Sequence, residues 1–174
     1  MFKKILKMHI LTTERLKLRR FNLEDAPFVV ELLNTPLWLK FIGDRNVKTL
    51  EDAVEYLQKG ILKNYETLGY GFYLVEEKAS NQKIGMCGFV NREELPAPDL
   101  GFAFLPDYIS RGFGSEIAAA TLNFGKNDLQ LKKISAIVNP ENQASNALLK
   151  KLGFIFQNKI WFGEKKELLN YYEI

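Results

Sequence analysis

The chain has 174 residues, 47% of them hydrophobic and 26% charged. That composition fits one globular domain spanning residues 1–174 and excludes intrinsically disordered, collagen-like and low-complexity chains. Its formal charge of +3 suits mild attraction to anionic ligands but falls short of a nucleic-acid binder, and no apolar run approaches the roughly 18 residues of a membrane-spanning helix.

Residues 1–10 read as a peripheral N-terminus. Met1 to His9 has the basic opening of a signal peptide, but Lys7 and His9 break its apolar core and no small-residue cleavage site follows. A single cysteine, Cys87, excludes an internal disulfide framework and fits a reducing compartment. A cytoplasmic protein is therefore expected.

Thr13 to Arg20 alternates apolar and charged residues, the pattern of a half-exposed strand. Asn22 caps a helix whose apolar face is Phe28, Val29, Leu32 and Leu33, and Asn34-Thr35-Pro36 stops it. Thr49 and Asp52 have capping-box spacing at the start of a second helix, which runs to about Thr67 before Gly69. Tyr70–Glu76 and Lys83–Asn91 form a hairpin around the turn residues 78–82. Leu95-Pro96-Ala97-Pro98 turns into a strand from Asp99 to Leu105, stopped by Pro106. A helix from Gly114 to about Asp128, a strand Lys133–Val138, a helix Gln143–Leu152 and strands Phe154–Ile160 and Leu168–Ile174 complete the order. Hairpins in the middle and crossover helices later give a mixed sheet of the α+β or α/β class, not a doubly wound order. The last strand, Leu169 to Ile174, is open to pairing across a homodimer.

Chemistry concentrates in two places. Leu100 to Leu105 runs through Arg111-Gly112-Phe113-Gly114-Ser115-Glu116 into an apolar helix. The two glycines let backbone approach a ligand, and the first-turn N–H groups with the helix dipole suit a phosphate or pyrophosphate. Arg111 adds a cation at the mouth. The same glycines would equally serve a tight turn. A Walker loop would need lysine after Gly114, and a dinucleotide fingerprint would need glycine or alanine where Ile117 stands. The second place is Asn139-Pro140-Glu141-Asn142-Gln143-Ala144-Ser145, another polar helix start after a strand. Asn142 there is either a simple N-cap or part of a shared cleft.

These segments, with Gly101-Phe102-Ala103-Phe104, Leu152-Gly153-Phe154 and the opening Thr13-Glu14-Arg15-Leu16-Lys17-Leu18-Arg19, resemble the GNAT acyl-CoA-dependent N-acetyltransferases. The opening and the Asn142-to-Ser145 signature are similar to the ribosomal-protein-alanine N-acetyltransferase-like branch. The resemblance implies a twisted, mostly antiparallel sheet flanked by helices, with splayed central strands. It implies acetyl transfer from acetyl-CoA to a primary amine, either a protein N-terminus or a small molecule, by direct attack in a ternary complex. It further implies that Phe102, Ala103 and Phe104 offer main-chain groups to the pantetheine arm. Arg111, Gly112, Phe113, Gly114 and Ser115 would offer amides to the pyrophosphate, and Asn142 would bond the pantetheine. Two positions depart from the family pattern: Ile109 replaces the usual Gln or Arg three residues before the first loop glycine, and Leu149 replaces a tyrosine seven residues after Asn142.

Direct attack needs a neutral amine and a stabilised leaving thiolate. Asp99, Glu93 and Glu94 are the carboxylates near the strand ends, and Asp99, which starts the strand leading to Phe102, is the candidate base. Ser145 is the remaining donor to the thiolate. Cys87 in an apolar strand reads as a buried small hydrophobe, and a lone histidine argues against a metal site. Leu37-Trp38-Leu39-Lys40-Phe41 is core or acceptor wall. The alternatives are a non-catalytic CoA-binding sensor on the same fold, and an RNA binder whose scattered lysines read better as solvated surface.

Overall fold

The computed structural model describes residues 8–174. Of the peripheral segment expected at residues 1–10, the first seven lie outside the described residues. His9 and Ile10 open strand β1 (His9–Thr12) at the edge of the sheet. The strand expected over Thr13–Arg20 is shorter, β2 (Leu16–Arg19). Thr13 to Arg15 form the turn that folds β1 back antiparallel onto β2.

A 3-10 turn at Leu23–Asp25 leads into α1 (Ala26–Leu33). Asn22 Oδ1 accepts from Glu24 N at 3.0 Å while Asp25 Oδ2 accepts from Asn22 N at 2.9 Å, so the start is capped reciprocally. Asp25 is 1% exposed, and Arg19 reaches it through two bonds of 2.8 and 2.9 Å. Lys83 completes the cluster at 2.7 Å. Burial alone would raise the Asp25 pKa. The bonds from Arg19, Lys83 and the Asn22 backbone outweigh it and hold the carboxyl below its ordinary range.

α1 stops at Leu33 as expected, but Pro36 does not begin a loop. It is the first residue of a helix absent from the predicted order, α2 (Pro36–Phe41). Proline ends one helix and starts another equally well, because a first-turn residue needs no N–H acceptor. The expected Thr49-to-Thr67 helix is present as α3 (Leu50–Tyr56), a π-helical stretch (Leu57–Leu62) and α4 (Lys63–Thr67). Its Thr49–Asp52 capping box is formed. The wide turn begins directly after Tyr56, as such insertions do near functional surfaces.

The remaining elements are β3 (Phe72–Glu77), β4 (Lys83–Val90), β5 (Asp99–Phe104), α5 (Phe113–Asn127), β6 (Ser135–Val138), α6 (Gln143–Lys151), β7 (Ile155–Phe162) and β8 (Glu167–Glu173). With β1 and β2, the strands of the described residues make one eight-stranded sheet in the order β1-β2-β3-β4-β5-β6-β8-β7. Every neighbouring pair is antiparallel except β5–β6. This is the mixed, mostly antiparallel sheet expected.

Ile84 to Phe89 of β4 are all buried, and since successive side chains point to opposite faces, the middle of the sheet is covered on both. Tyr73 stacks on Tyr65 at 5.6 Å between ring centroids and meets Phe124 edge-on at 6.1 Å, tying α4 and α5 to β3. Gly125 lets α5 lie against Phe89, whose ring would be 2.4 Å from a Cβ there. Cys87 is fully buried as expected, and burial pushes its thiol up to about 12. No helix among the described residues is long and apolar enough to cross a membrane.

β8 lies between β6 and β7, so both its edges are occupied. The expectation that Leu169 to Ile174 could pair across a dimer is therefore corrected. The open edge on that side is β7, which carries the exposed side chains Ile155, Phe156 and Trp161.

Candidate active site

β5 and β6 begin side by side and then part. Asp99 and Ser135 are their one matched pair. Ser135 is held there by Oγ and N bonds of 2.9 Å to the Ala97 and Pro98 carbonyls. Beyond that pair, β5 bonds to β4 along one edge while its other edge faces a cavity of about 570 Å³. Gly101, Phe102, Ala103 and Phe104 form one wall. Ile137, Val138 and Asn139 form the opposite wall, and the starts of α5 and α6 close one end. The three residues expected to present main-chain groups to an extended arm therefore sit on an unpaired strand edge.

The loop before α5 takes its shape from two left-handed residues, Ser110 at φ +62° and Gly112 at φ +80°. Among the described residues no side chain caps α5, and its first backbone bond runs from Glu116 N to Gly112 O at 3.1 Å. The amides of Phe113, Gly114 and Ser115 thus precede the helical ladder, leaving donors at the positive end of the dipole. Ser110, Gly112, Gly114 and Ser115 line the cavity, as does Ile109.

Of the predicted loop residues, Arg111 sits differently from the cation expected at the mouth, while Phe113 was expected to offer only its backbone. The Arg111 guanidinium does not line the cavity: it bonds Glu77 Oε1 at 3.2 Å and lies over the rings of Tyr108 and Phe113. The Phe113 side chain is 2% exposed and belongs to the core. What both residues have to offer an anion is backbone.

Asn142 starts α6 and lines the cavity. Its Oδ1 accepts from Ser145 N at 3.1 Å, so the N-cap reading is realised. Its Nδ2 has no protein acceptor among the described residues. Ser145, half-buried, lines the same space, so the two polar helix starts share one cleft. Leu149, where the family pattern has tyrosine, is buried at its margin.

The other half of the cavity is built by residues far apart in sequence. Asp99 is 3% exposed and accepts from Arg92 Nε at 2.9 Å, and the Arg92 guanidinium lies over Phe162 at 5.3 Å. Burial raises the Asp99 pKa, and Arg92 offsets part of the rise. Trp38 and Phe41 of α2 face this space, with Tyr56 and Arg45 beside them. Trp38 is 5% exposed and its Nε1 donates to Gly43 O at 3.1 Å, so this segment is both core and wall. Burial also raises the Tyr56 hydroxyl pKa, against the pull of Arg45 and Arg92. Glu93 and Glu94 are exposed and outside the cavity.

Arg92, Arg45, Tyr56 and Phe162 were not among the expected site residues. Arg92 had a faint signal, an arginine across a proline turn from a strand-starting aspartate. The others had none, because only the sheet order and the helical roof bring them together.

A family sequence pattern described as an acetyltransferase (GNAT) domain matches residues 15–155. A relative from Bacillus subtilis, the uncharacterized N-acetyltransferase YnaD, is 32% identical over 146 residues, covering 84% of this chain and 82% of its own. A GNAT-family acetyltransferase from Bacillus anthracis superposes with a TM-score of 0.77 at 26% identity, over 96% of this chain and 98% of that one. A ribosomal-protein-S5-alanine acetyltransferase from Vibrio fischeri superposes at 0.80 with 17% identity, over 97% and 96% of the two chains.

Proposed function

The chain belongs to the GNAT acetyltransferase family, an acyl-CoA-dependent acetyltransferase, and from that premise we propose that it acetylates a primary amine inside the β5–β6 cavity. The observation that carries this reading is the splay itself. One strand leaves its backbone edge open toward two helix starts while its first residue, Asp99, is a buried carboxylate at the opposite end.

The residues present fit the cosubstrate. Phe102, Ala103 and Phe104 hold the pantetheine arm as a β-strand holds a neighbour, and Asn142 Nδ2 adds a donor from the facing helix. The amides of Gly112, Phe113, Gly114 and Ser115 receive the pyrophosphate, where unpaired donors and the helix dipole favour negative charge. Ile109 removes no backbone donor, so this recognition does not depend on the side chain the family pattern has there.

Acetyl-CoA supplies a thioester: the amine nitrogen bonds to the acetyl carbon, the carbon–sulfur bond breaks, and CoA leaves as a thiolate that takes up the second proton the nitrogen sheds as the amide forms. Asp99 takes the proton from the incoming ammonium, directly or through one water, so that the nitrogen lone pair is available. Its raised pKa makes it a stronger base than an exposed carboxylate, and Arg92 offsets part of the rise and aims the carboxyl. Ser145 donates to the departing sulfur, stabilising the thiolate more than protonating it. Trp38, Phe41, Tyr56 and Phe162 give the acceptor an apolar, partly closed chamber that excludes water from the thioester.

The acceptor is a peptide N-terminus or a small amine carrying an apolar group. A polycation is disfavoured, because Arg45, Arg92 and Lys151 line the cavity against two carboxylates, Glu167 and Asp99, and Arg92 already binds Asp99. Release of thiol from acetyl-CoA, followed across peptides with varied first residues, amino acid amides and polyamines, tests the reading. Acceptor-dependent release with apolar amines is expected. CoA binding with no acceptor-dependent release from any of them would overturn it.

A further inference from the structure

Outside the cavity, the turn between β1 and β2 is bonded to the loop that precedes α5. Glu116, in the first turn of α5, receives three bonds from that turn. Thr13 Oγ1 reaches its Oε1 at 2.6 Å, Arg15 N reaches the same oxygen at 2.9 Å, and Arg15 Nε reaches Oε2 at 2.7 Å. With Nε so engaged, the Arg15 fork extends Nη1 to the Arg111 carbonyl at 3.0 Å. Its planar head lies 4.6 Å from the centre of the Phe113 ring, and Nη2 sits 3.3 Å from where a Cβ on Gly112 would be. One side chain therefore bonds the Arg111 carbonyl, lies over Phe113 and approaches Gly112 between them, and it does not line the cavity.

That loop needs holding. Ser110 is in the left-handed region, where a residue with a Cβ is disfavoured, and Gly112 follows two residues later. The amides of residues 113–115 have no helical acceptors, and the Arg111 side chain is tied to Glu77, not to the loop backbone. The Arg111 carbonyl, between the two left-handed residues, is fixed by Arg15 alone among the side-chain bonds of the described residues. Glu116 keeps its charge readily. Partial burial pushes its pKa up, but the bonds from Thr13 and Arg15 bring it below the ordinary glutamate value.

We propose that Arg15, anchored by Glu116, is a positioning residue that holds the 110–115 backbone in the shape that receives the CoA pyrophosphate. This rests on the reading that the loop binds acetyl-CoA. The effect works through population: affinity falls in proportion to the fraction of loops already in the binding shape. A guanidinium fork is required, because a lysine has one donor centre and cannot reach both Glu116 Oε2 and the Arg111 carbonyl.

Calorimetric titration of CoA into wild type, Arg15→Ala, Arg15→Lys and Thr13→Val separates the possibilities. Amide hydrogen exchange at residues 110–115 is measured on the same proteins without CoA. Arg15→Ala and Arg15→Lys should both weaken CoA binding by about tenfold or more, since a bond to a charged group is lost and the loop is loosened. Exchange at residues 113–115 should quicken in both while amides in β3 and β4 stay protected. Thr13→Val, which removes one of the bonds to Glu116, should move both readouts less and in the same direction, and it serves if Arg15→Ala folds poorly. Wild-type affinity in Arg15→Lys would mean the charge acts directly on phosphate and would overturn the proposal. Unchanged loop exchange in Arg15→Ala would overturn it too. Failure of the wild type to bind CoA would instead refute the functional reading, while the exchange data would still decide whether Arg15 orders the loop.

Discussion

Replacing Asp99 by Asn tests the catalytic assignment with little cost to the fold. Asn keeps an oxygen for Arg92 Nε, now 2.9 Å from the carboxylate, and removes only the charge and the basicity. A charge-assisted bond is roughly twice as strong as a neutral one, so the weakened contact costs on the order of 1 kcal/mol. The opposite contribution comes from burial. Because the folded pKa of Asp99 is raised, the native state holds this proton more tightly than the unfolded chain. The associated stability is complete below the unfolded value of about 3.9 and declines as pH rises through the folded pKa. Above that folded pKa the wild type carries a buried charge that Asn does not, and the two effects oppose one another. The melting temperature should move in favour of the variant as pH rises through the folded pKa of Asp99.

Activity should behave differently. Loss of a positioned base typically costs about 10²–10⁴ in rate, or roughly 2.7–5.5 kcal/mol of barrier. We expect kcat/KM for the amine to fall by that factor while the CoA dissociation constant stays within about twofold, since Asp99 is at the far end of β5 from the loop. The acid limb of the wild-type pH–rate profile should vanish in Asp99→Asn. In Arg92→Met it should shift to higher pH, because removing the neighbouring cation raises the carboxyl pKa further. Steady-state thiol release between pH 5 and 9 measures all of this. A variant retaining more than about a tenth of wild-type kcat/KM, with its acid limb in place, would refute a base role for Asp99.

Gly112→Ala places a Cβ at φ +80° and 3.3 Å from Arg15 Nη2. A left-handed residue with a side chain costs about 1–2 kcal/mol, so the melting temperature should drop by a few degrees and CoA should bind about tenfold more weakly, by calorimetry. Asp25→Asn removes a buried charge from between Arg19 and Lys83, and denaturant unfolding should show a loss of roughly 3–5 kcal/mol. The folded pKa of Asp25 is depressed, so its stabilisation is present above about pH 4 and lost as pH falls through the folded value. The wild-type decline in that acid range should be shallower in the variant. Cys87, with its thiol pushed up to about 12, should react with a disulfide reagent at pH 8 only as fast as the protein unfolds, and stoichiometric labelling of the native state within a minute would contradict its burial.

Features that depend on nearest neighbours were legible in the sequence, and those that depend on the sheet were not. The Thr49–Asp52 box, the β3–β4 hairpin and the glycine loop before α5 are each written in a few adjacent residues, and the resemblance joined them into a fold. α2 was missed because its proline reads as a stop from one side and a start from the other. Arg111 was read as a phosphate cation because nothing near it in sequence shows Glu77, which β3 brings alongside. Asp99 was visible as a strand-starting acid, but its partner depends on the β4–β5 register that sets Val90 opposite Asp99. Arg45, Tyr56 and Phe162 come from a loop, a helix end and an edge hairpin. Their convergence is a property of the strand order, in which β7 and β8 lie on one side of the splay and the helical roof spans it.

On the proposed reading, the splay also lets one short strand serve both substrates. A parallel partner kept in register along all of β5 would have consumed the backbone groups of residues 101–104 and closed the cavity. Losing register after one pair leaves those groups for an extended ligand, and the cost of the unpaired edge is met by whatever lies against it. The paired end does the opposite work. There Ser135 holds the strand start, and Arg92 and the neighbouring turn close over Asp99 until it is 3% exposed, the condition that raises its basicity. On the proposed reading, binding and proton transfer would sit at opposite ends of the same six residues, one relying on backbone left open and the other on a side chain shut in. Changes at the loop should act on CoA affinity and changes at Asp99 on the chemical step.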